Sequence, residues 1–165
     1  MTSSVISKFP MTREGFDHMQ AELNRLKEEK PYIIQAISDA RDQGDLSENA
    51  EYHAARERLG FIEGRMIELE NKILHAEVIE VKSLSGNSVM FGATVTLNML
   101  SDNNSEIKYI YKIVGEYEAD VSKQLISISS PLGSALIGKK VGECVEVIVP
   151  SGEEKLYKIV KIEFK

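Results

Sequence analysis

The chain has 165 residues, 42% of them hydrophobic, with 20 Lys and Arg against 26 Asp and Glu. That apolar content belongs to a folded protein, and a net charge of −6 excludes one that coats nucleic acid nonspecifically through its phosphates, so any nucleic-acid contact has to be local. No run of roughly 18 apolar residues occurs, and the start, Met1 to Pro10, lacks a basic region leading into an apolar one, so a cytoplasmic chain with no membrane partner is expected.

The first element begins near Thr12, a suitable N-cap. Apolar or spacer positions then run Phe16, Met19, Leu23, Leu26, Lys30, Ile33, Ile37 and Ala40, in steps alternating three and four. That spacing predicts a helix with a heptad seam, in which Pro31 removes a backbone donor and introduces a kink. A second seam follows through Tyr52, Ala55, Leu59, Ile62, Met66, Leu69, Ile73 and Ala76. Between the seams, Gln43 to Ser47 is long enough only for a tight reversal, which predicts an antiparallel coiled-coil hairpin with the seams face to face. Roughly 30 residues per helix give a finger about 45 Å long.

After about Ser83 the apolar period changes to two. Met90–Leu97 and Lys108–Val114 read as strands joined by the polar turn Ser101–Ser105, and Leu125–Ile128, Cys144–Val149 and Leu156–Ile162 read as three more. Turns fall at Gly115 and at Pro150-Ser151-Gly152. One short helix is expected between them, capped by Ser130, with Pro131 in its first turn and Gly138 closing it. The fold class is therefore α+β in two domains, a coiled-coil hairpin over 1–83 and a β-sheet domain with one short helix over 84–165. Cys144, alone in the chain and set in the alternation Cys144-Val145-Glu146-Val147, reads as a buried structural thiol. His18, His53 and His75 share no metal-ligand spacing and read as ordinary helix residues.

The richest segment is the reversal, Ala40-Arg41-Asp42-Gln43-Gly44-Asp45-Leu46-Ser47-Glu48-Asn49-Ala50-Glu51-Tyr52. If the second helix starts at Asp45, the carboxylates of Asp45 and Glu48 stand three apart on its first turn and can share one hard cation such as Mg²⁺, which would need further ligands from elsewhere. The same residues fit a capping box, with Asp45 accepting from helix amides and Glu48 reaching back, and on spacing alone the cap is the simpler reading. Gly44 reads as a residue closing the preceding helix in a left-handed conformation. Arg41, Arg56 and Arg58 could meet RNA phosphates, or be plain solvated surface.

This motif, continued through His53-Ala54-Ala55-Arg56-Glu57 and joined by Phe91-Gly92-Ala93-Thr94-Val95, Leu125–Pro131 and Leu136-Ile137-Gly138-Lys139, resembles the Gre transcript-cleavage factors over almost the whole chain. The resemblance implies a finger that enters the secondary channel of bacterial RNA polymerase, and a C-terminal domain, similar in fold to FK506-binding proteins, that docks on the channel rim. It implies that Asp45 and Glu48 complete a Mg²⁺ site shared with the polymerase active centre, and that Arg41 and Arg56 hold the 3′ end of backtracked RNA. Ser47 stands where some members carry lysine, which points to the branch with the smaller basic patch. The polymerase would do the hydrolysis; the free chain would be an inactive monomer without a cofactor. The rival readings are a noncatalytic binder of the same channel, a prolyl isomerase, which the absence of Trp disfavours, and a plain coiled-coil scaffold.

Overall fold

The computed structural model describes residues 8–44, 49–103 and 105–165. Asp45, Leu46, Ser47 and Glu48 lie outside the described residues. The elements are β1 (Phe9–Thr12), α1 (Arg13–Asp42), α2 (Ala50–Leu74), β2 (Ala76–Ile79), β3 (Ala93–Leu100), β4 (Glu106–Val114), β5 (Leu125–Ser127), α3 (Pro131–Leu136), β6 (Cys144–Ile148) and β7 (Glu154–Phe164). Two compact units result: Phe16–Ala76, and Lys8–Gly15 together with Glu77–Lys165. The compact units meet between Ala76 and Glu77, and a stretch ahead of the finger belongs to the second unit. No helix among the described residues is long and apolar enough to cross a membrane.

In the helical unit both predicted seams are present. Every seam position is buried or half-buried, and Ile62 and Leu69 are 0% exposed. α1 continues unbroken through Pro31, whose missing N–H leaves the Lys27 carbonyl without its usual partner. Charged residues flanking the seams show the antiparallel register. Arg65 grips Glu22 through two bonds of 2.7 and 3.0 Å, and Arg58 grips Glu29 through two of 2.7 and 2.8 Å. One heptad forward along α1 is thus one heptad back along α2.

The second unit is built on a five-stranded sheet in the order β5-β4-β3-β7-β6, antiparallel except for the β4–β5 pair. β3 lies at its centre, and its side chains from Ala93 to Leu97 are buried on both faces. Leu97, Ile113, Leu136 and Ile159 anchor one continuous apolar core. α3 forms as predicted: the Ser130 hydroxyl accepts from the Gly133 amide at 3.1 Å, Pro131 occupies the first turn, and Gly138 follows at φ +82°. A register shift between β3 and β7 leaves Val160 without a partner and marks a bulge.

The buried-thiol reading of Cys144 is corrected: its side chain is exposed. Burial alternates along β6 with Val145 and Val147 inward, so Cys144 shares the outward phase of Glu146. The period of the strand was readable, but not which phase met the core. The paired strands β1 and β2 were also missed, being four residues each with no clear alternation.

Thr12 caps α1 as expected, its hydroxyl accepting from the Gly15 amide at 3.1 Å. Glu118 adds a clamp, its carboxylate accepting from the Thr12 amide at 3.1 Å, the Gly115 amide at 3.0 Å and the Thr12 hydroxyl. A Cβ on Gly15 would collide with that carboxylate, and one on Gly115 with the Pro10 carbonyl. Alanine ordinarily improves a helix over glycine by about 0.5–1 kcal/mol. Here Gly15→Ala should instead lower stability by about 1–3 kcal/mol, because the carboxylate must give up a charge-assisted hydrogen bond to make room. In a Glu118→Ala background the ordinary gain should reappear. Denaturant melts of the parent, both single variants and the double variant check this; a neutral Gly15→Ala in the parent refutes the clamp.

The hairpin ion pair predicts a pH dependence. Arg65's hydrogen bond is the main reason that the Glu22 carboxyl is held below its usual value of 4.5. A lowered folded-state pKa contributes stability that is fully present above the unfolded value and is lost as pH falls through the folded one. Glu22→Gln should therefore cost about 1 kcal/mol near neutral pH, as expected for a half-buried pair at the edge of the seam. The difference from the parent should shrink as pH is lowered below about 4.5. Thermal melts of both proteins across that range provide the measurement.

Candidate functional site

The described residues nearest the reversal form a small, defined arrangement. α1 ends at Asp42, and Gly44 adopts φ +125°, a conformation that favours glycine. α2 begins at Ala50 with Asn49 as its N-cap. α2 therefore starts at Ala50 and not at Asp45 as expected, and the capping-box reading of Asp45-Leu46-Ser47-Glu48 falls on residues outside the described part of the chain. Asn49 makes a better cap here because its amide can serve both helices. Its Oδ1 accepts from the Tyr52 amide at 3.1 Å, while its Nδ2 donates to the Ala40 carbonyl at 2.8 Å. One side chain ties the last turn of α1 to the first turn of α2.

Tyr52 sits directly inside this tie. It is a seam residue, 6% exposed, yet its ring is approached by two cations. The guanidinium carbons of Arg41 and Arg56 each lie 5.8 Å from its centroid, and Arg56 Nη1 donates to the phenol oxygen at 3.2 Å. The His53 ring meets it edge-on at 5.5 Å. Hydrogen bonding from Arg56, and then from Arg41, holds the Tyr52 phenol below its usual pKa. Arg41 also stands in the last turn of α1 and Glu51 in the first turn of α2, each where its charge suits the helix dipole.

Of the three arginines considered from sequence, the structure gathers two. Arg41 and Arg56 converge on Tyr52 from different helices, and no carboxylate among the described residues pairs with either. Arg58 is instead engaged by Glu29 across the hairpin. Asp45 and Glu48, the expected metal ligands, fall outside the described residues. Sequence reasoning missed Asn49 and Tyr52. The available signals were an amide immediately before the first turn of the second helix, and a hydroxyl-bearing aromatic at a seam position with Arg56 four residues on.

The comparisons with known proteins converge. Residues 9–78 match the family model described as "Transcription elongation factor, N-terminal", and residues 84–164 match "Transcription elongation factor, GreA/GreB, C-term". The chain is 55% identical to the transcription elongation factor GreA of Beijerinckia indica, covering 97% of this chain and 100% of that one. It is 53% identical to the GreA of Novosphingobium aromaticivorans, covering 96% and 98%. Among solved structures, GreA factor homolog 1 of Thermus thermophilus aligns over 94% of this chain and 99% of its own, at 25% identity and a TM-score of 0.42. With both halves matched in order and relatives alike over almost their full lengths, the chain belongs to the GreA/GreB family of transcription elongation factors.

Proposed function

We propose that this elongation factor inserts its helical hairpin into the secondary channel of bacterial RNA polymerase and stimulates the polymerase's own Mg²⁺-dependent cleavage of backtracked RNA, rescuing arrested complexes. The observation that carries this reading is the arginine pair gathered on Tyr52, which brackets Asp45 and Glu48 in the sequence. An anionic strand needs cations close to the scissile bond, and in a chain of net charge −6 they have to be concentrated locally. Arg41 and Arg56 would hold the RNA near its 3′ end. The second unit would dock at the channel rim and set how deeply the hairpin reaches.

Asp45 and Glu48 would hold a Mg²⁺ shared with the polymerase. Two carboxylates are hard oxygen donors suited to this ion, but they are too few to complete its six-fold shell, so the donor set fits a cation whose other ligands come from another protein. When bound, the ion would supply Lewis acidity to the phosphodiester undergoing hydrolysis. Asp45 is assigned as a direct or water-mediated ligand. Glu48 either ligates too or orients the attacking water through its carboxylate. Neither acts as a nucleophile; the factor's contribution is position and charge, and the bond-breaking activity belongs to the polymerase.

Asp45→Asn tests this reading. Asn49 caps α2, and asparagine would replace aspartate at little cost even in a cap, so stability should stay within about 1 kcal/mol of the parent. Competition with the parent for polymerase should persist, whereas shortening of RNA in backtracked complexes should largely disappear and partly return at raised Mg²⁺. Parental cleavage rates under limiting Mg²⁺ would remove Asp45 from the metal site. They would favour a noncatalytic channel binder.

A further inference from the structure

We infer that Tyr52 is the positioning residue of the hairpin end: its buried ring holds Arg41 of α1 and Arg56 of α2 together and presents the two guanidinium groups as one anion-binding pair for the RNA phosphodiester. The inference rests on the proposed function for the identity of its ligand. Its geometry stands apart from that.

The two cations come from different helices and would repel each other if placed side by side in water. Each belongs to a long side chain that loses considerable rotamer freedom when it is fixed. Something must offset both costs. The negative face of an aromatic ring does so within about 6 Å of its centroid, and both guanidinium carbons stand 5.8 Å from that of Tyr52. The ring cannot follow a swinging arginine, because it is packed into the seam and its backbone amide is bound by Asn49. The same Asn49 holds the carbonyl of Ala40, the residue before Arg41, so backbone on both sides of the pair is tied to one side chain.

Plain seam filling does not account for the residue. A leucine would fill the position without placing a hydroxyl there, and this hydroxyl is used, accepting from Arg56 at 3.2 Å. The lowered phenol pKa has the same cause, since cations beside the oxygen favour its charged form.

The test uses the full chain on stalled, backtracked polymerase complexes, separating maximal cleavage rate from the half-saturating factor concentration. Tyr52→Leu is compatible with a heptad seam, and circular dichroism with thermal melting verifies that it folds. It should lose about tenfold in maximal rate, the scale of two released cation–π contacts. Half-saturation should move by no more than about twofold, because docking is untouched. Tyr52→Phe, which keeps the ring, should stay within about threefold of the parent. Arg41→Ala should cost clearly less in the Tyr52→Leu background than in the parent, as residues acting through one contact require. By nuclear magnetic resonance, the Tyr52 phenol should titrate below the ordinary tyrosine value in the free parent and rise toward it in Arg56→Ala.

Tyr52→Leu at the parental rate, Tyr52→Phe no better than Tyr52→Leu, additive losses with Arg41→Ala, or an ordinary phenol titration in the parent would each overturn the inference while leaving the proposed function standing. A parent chain that stimulates no cleavage overturns the proposed function, and the assignment of RNA as the ligand of the pair falls with it.

Discussion

Each long helix buries one stripe of side chains against the other, and this mutual burial sets everything else in the helical unit. Neither α1 nor α2 could hide its seam alone. A heptad repeat lets apolar meet apolar in several registers a heptad apart, and with Leu23, Leu26, Ile62 and Leu69 packed the hairpin takes one of them. In that register Glu22 faces Arg65, Glu29 faces Arg58, and the Ala40 carbonyl comes within reach of the Asn49 amide. A slip of one heptad would break all three contacts together. The ion pairs are individually weak, but they penalise the wrong registers.

The charges along the hairpin therefore divide by task. Arg58 and Arg65 are spent on cross-helix carboxylates, and Lys72 on Glu68 along its own helix. Arg41 and Arg56 are gathered on an aromatic ring, which holds a cation without neutralising it as a carboxylate would. The difference matters for a chain with an acidic balance. A cation paired with Glu has little field left for another anion, whereas a ring contact does not neutralise it.

The second unit meets a different constraint. A sheet whose central strand is buried from Ala93 to Leu97 needs both faces covered, and the core around β3 draws on α3 and on residues of β4, β5, β6 and β7. Its outward residues, Cys144 among them, are decided by the same packing. The Glu118 clamp joins two segments distant in sequence, Thr12 and Gly115, and leaves room for them only because glycines stand at 15 and 115.

Sequence alone determined the elements whose signal is periodic and local. The heptad seams, the reversal between them, the five strands of the main sheet and the Ser130-Pro131 start of α3 are all written within a few residues of where they act, since helix and strand periods follow from backbone geometry. On spacing alone the motif around Asp45 and Glu48 read more simply as a cap than as a cation site, and the resemblance is what favoured the metal; those residues lie outside the described part of the chain. Tertiary structure decided what depends on residues far apart in the chain. It placed the cap of α2 on Asn49 because Ala40 is near, drew Arg41 and Arg56 but not Arg58 onto Tyr52, turned Cys144 outward, and added β1 to the second unit. A period fixes the spacing of side chains on one element, but its phase, and the partner that each side chain meets, are set by whatever the rest of the chain packs against it.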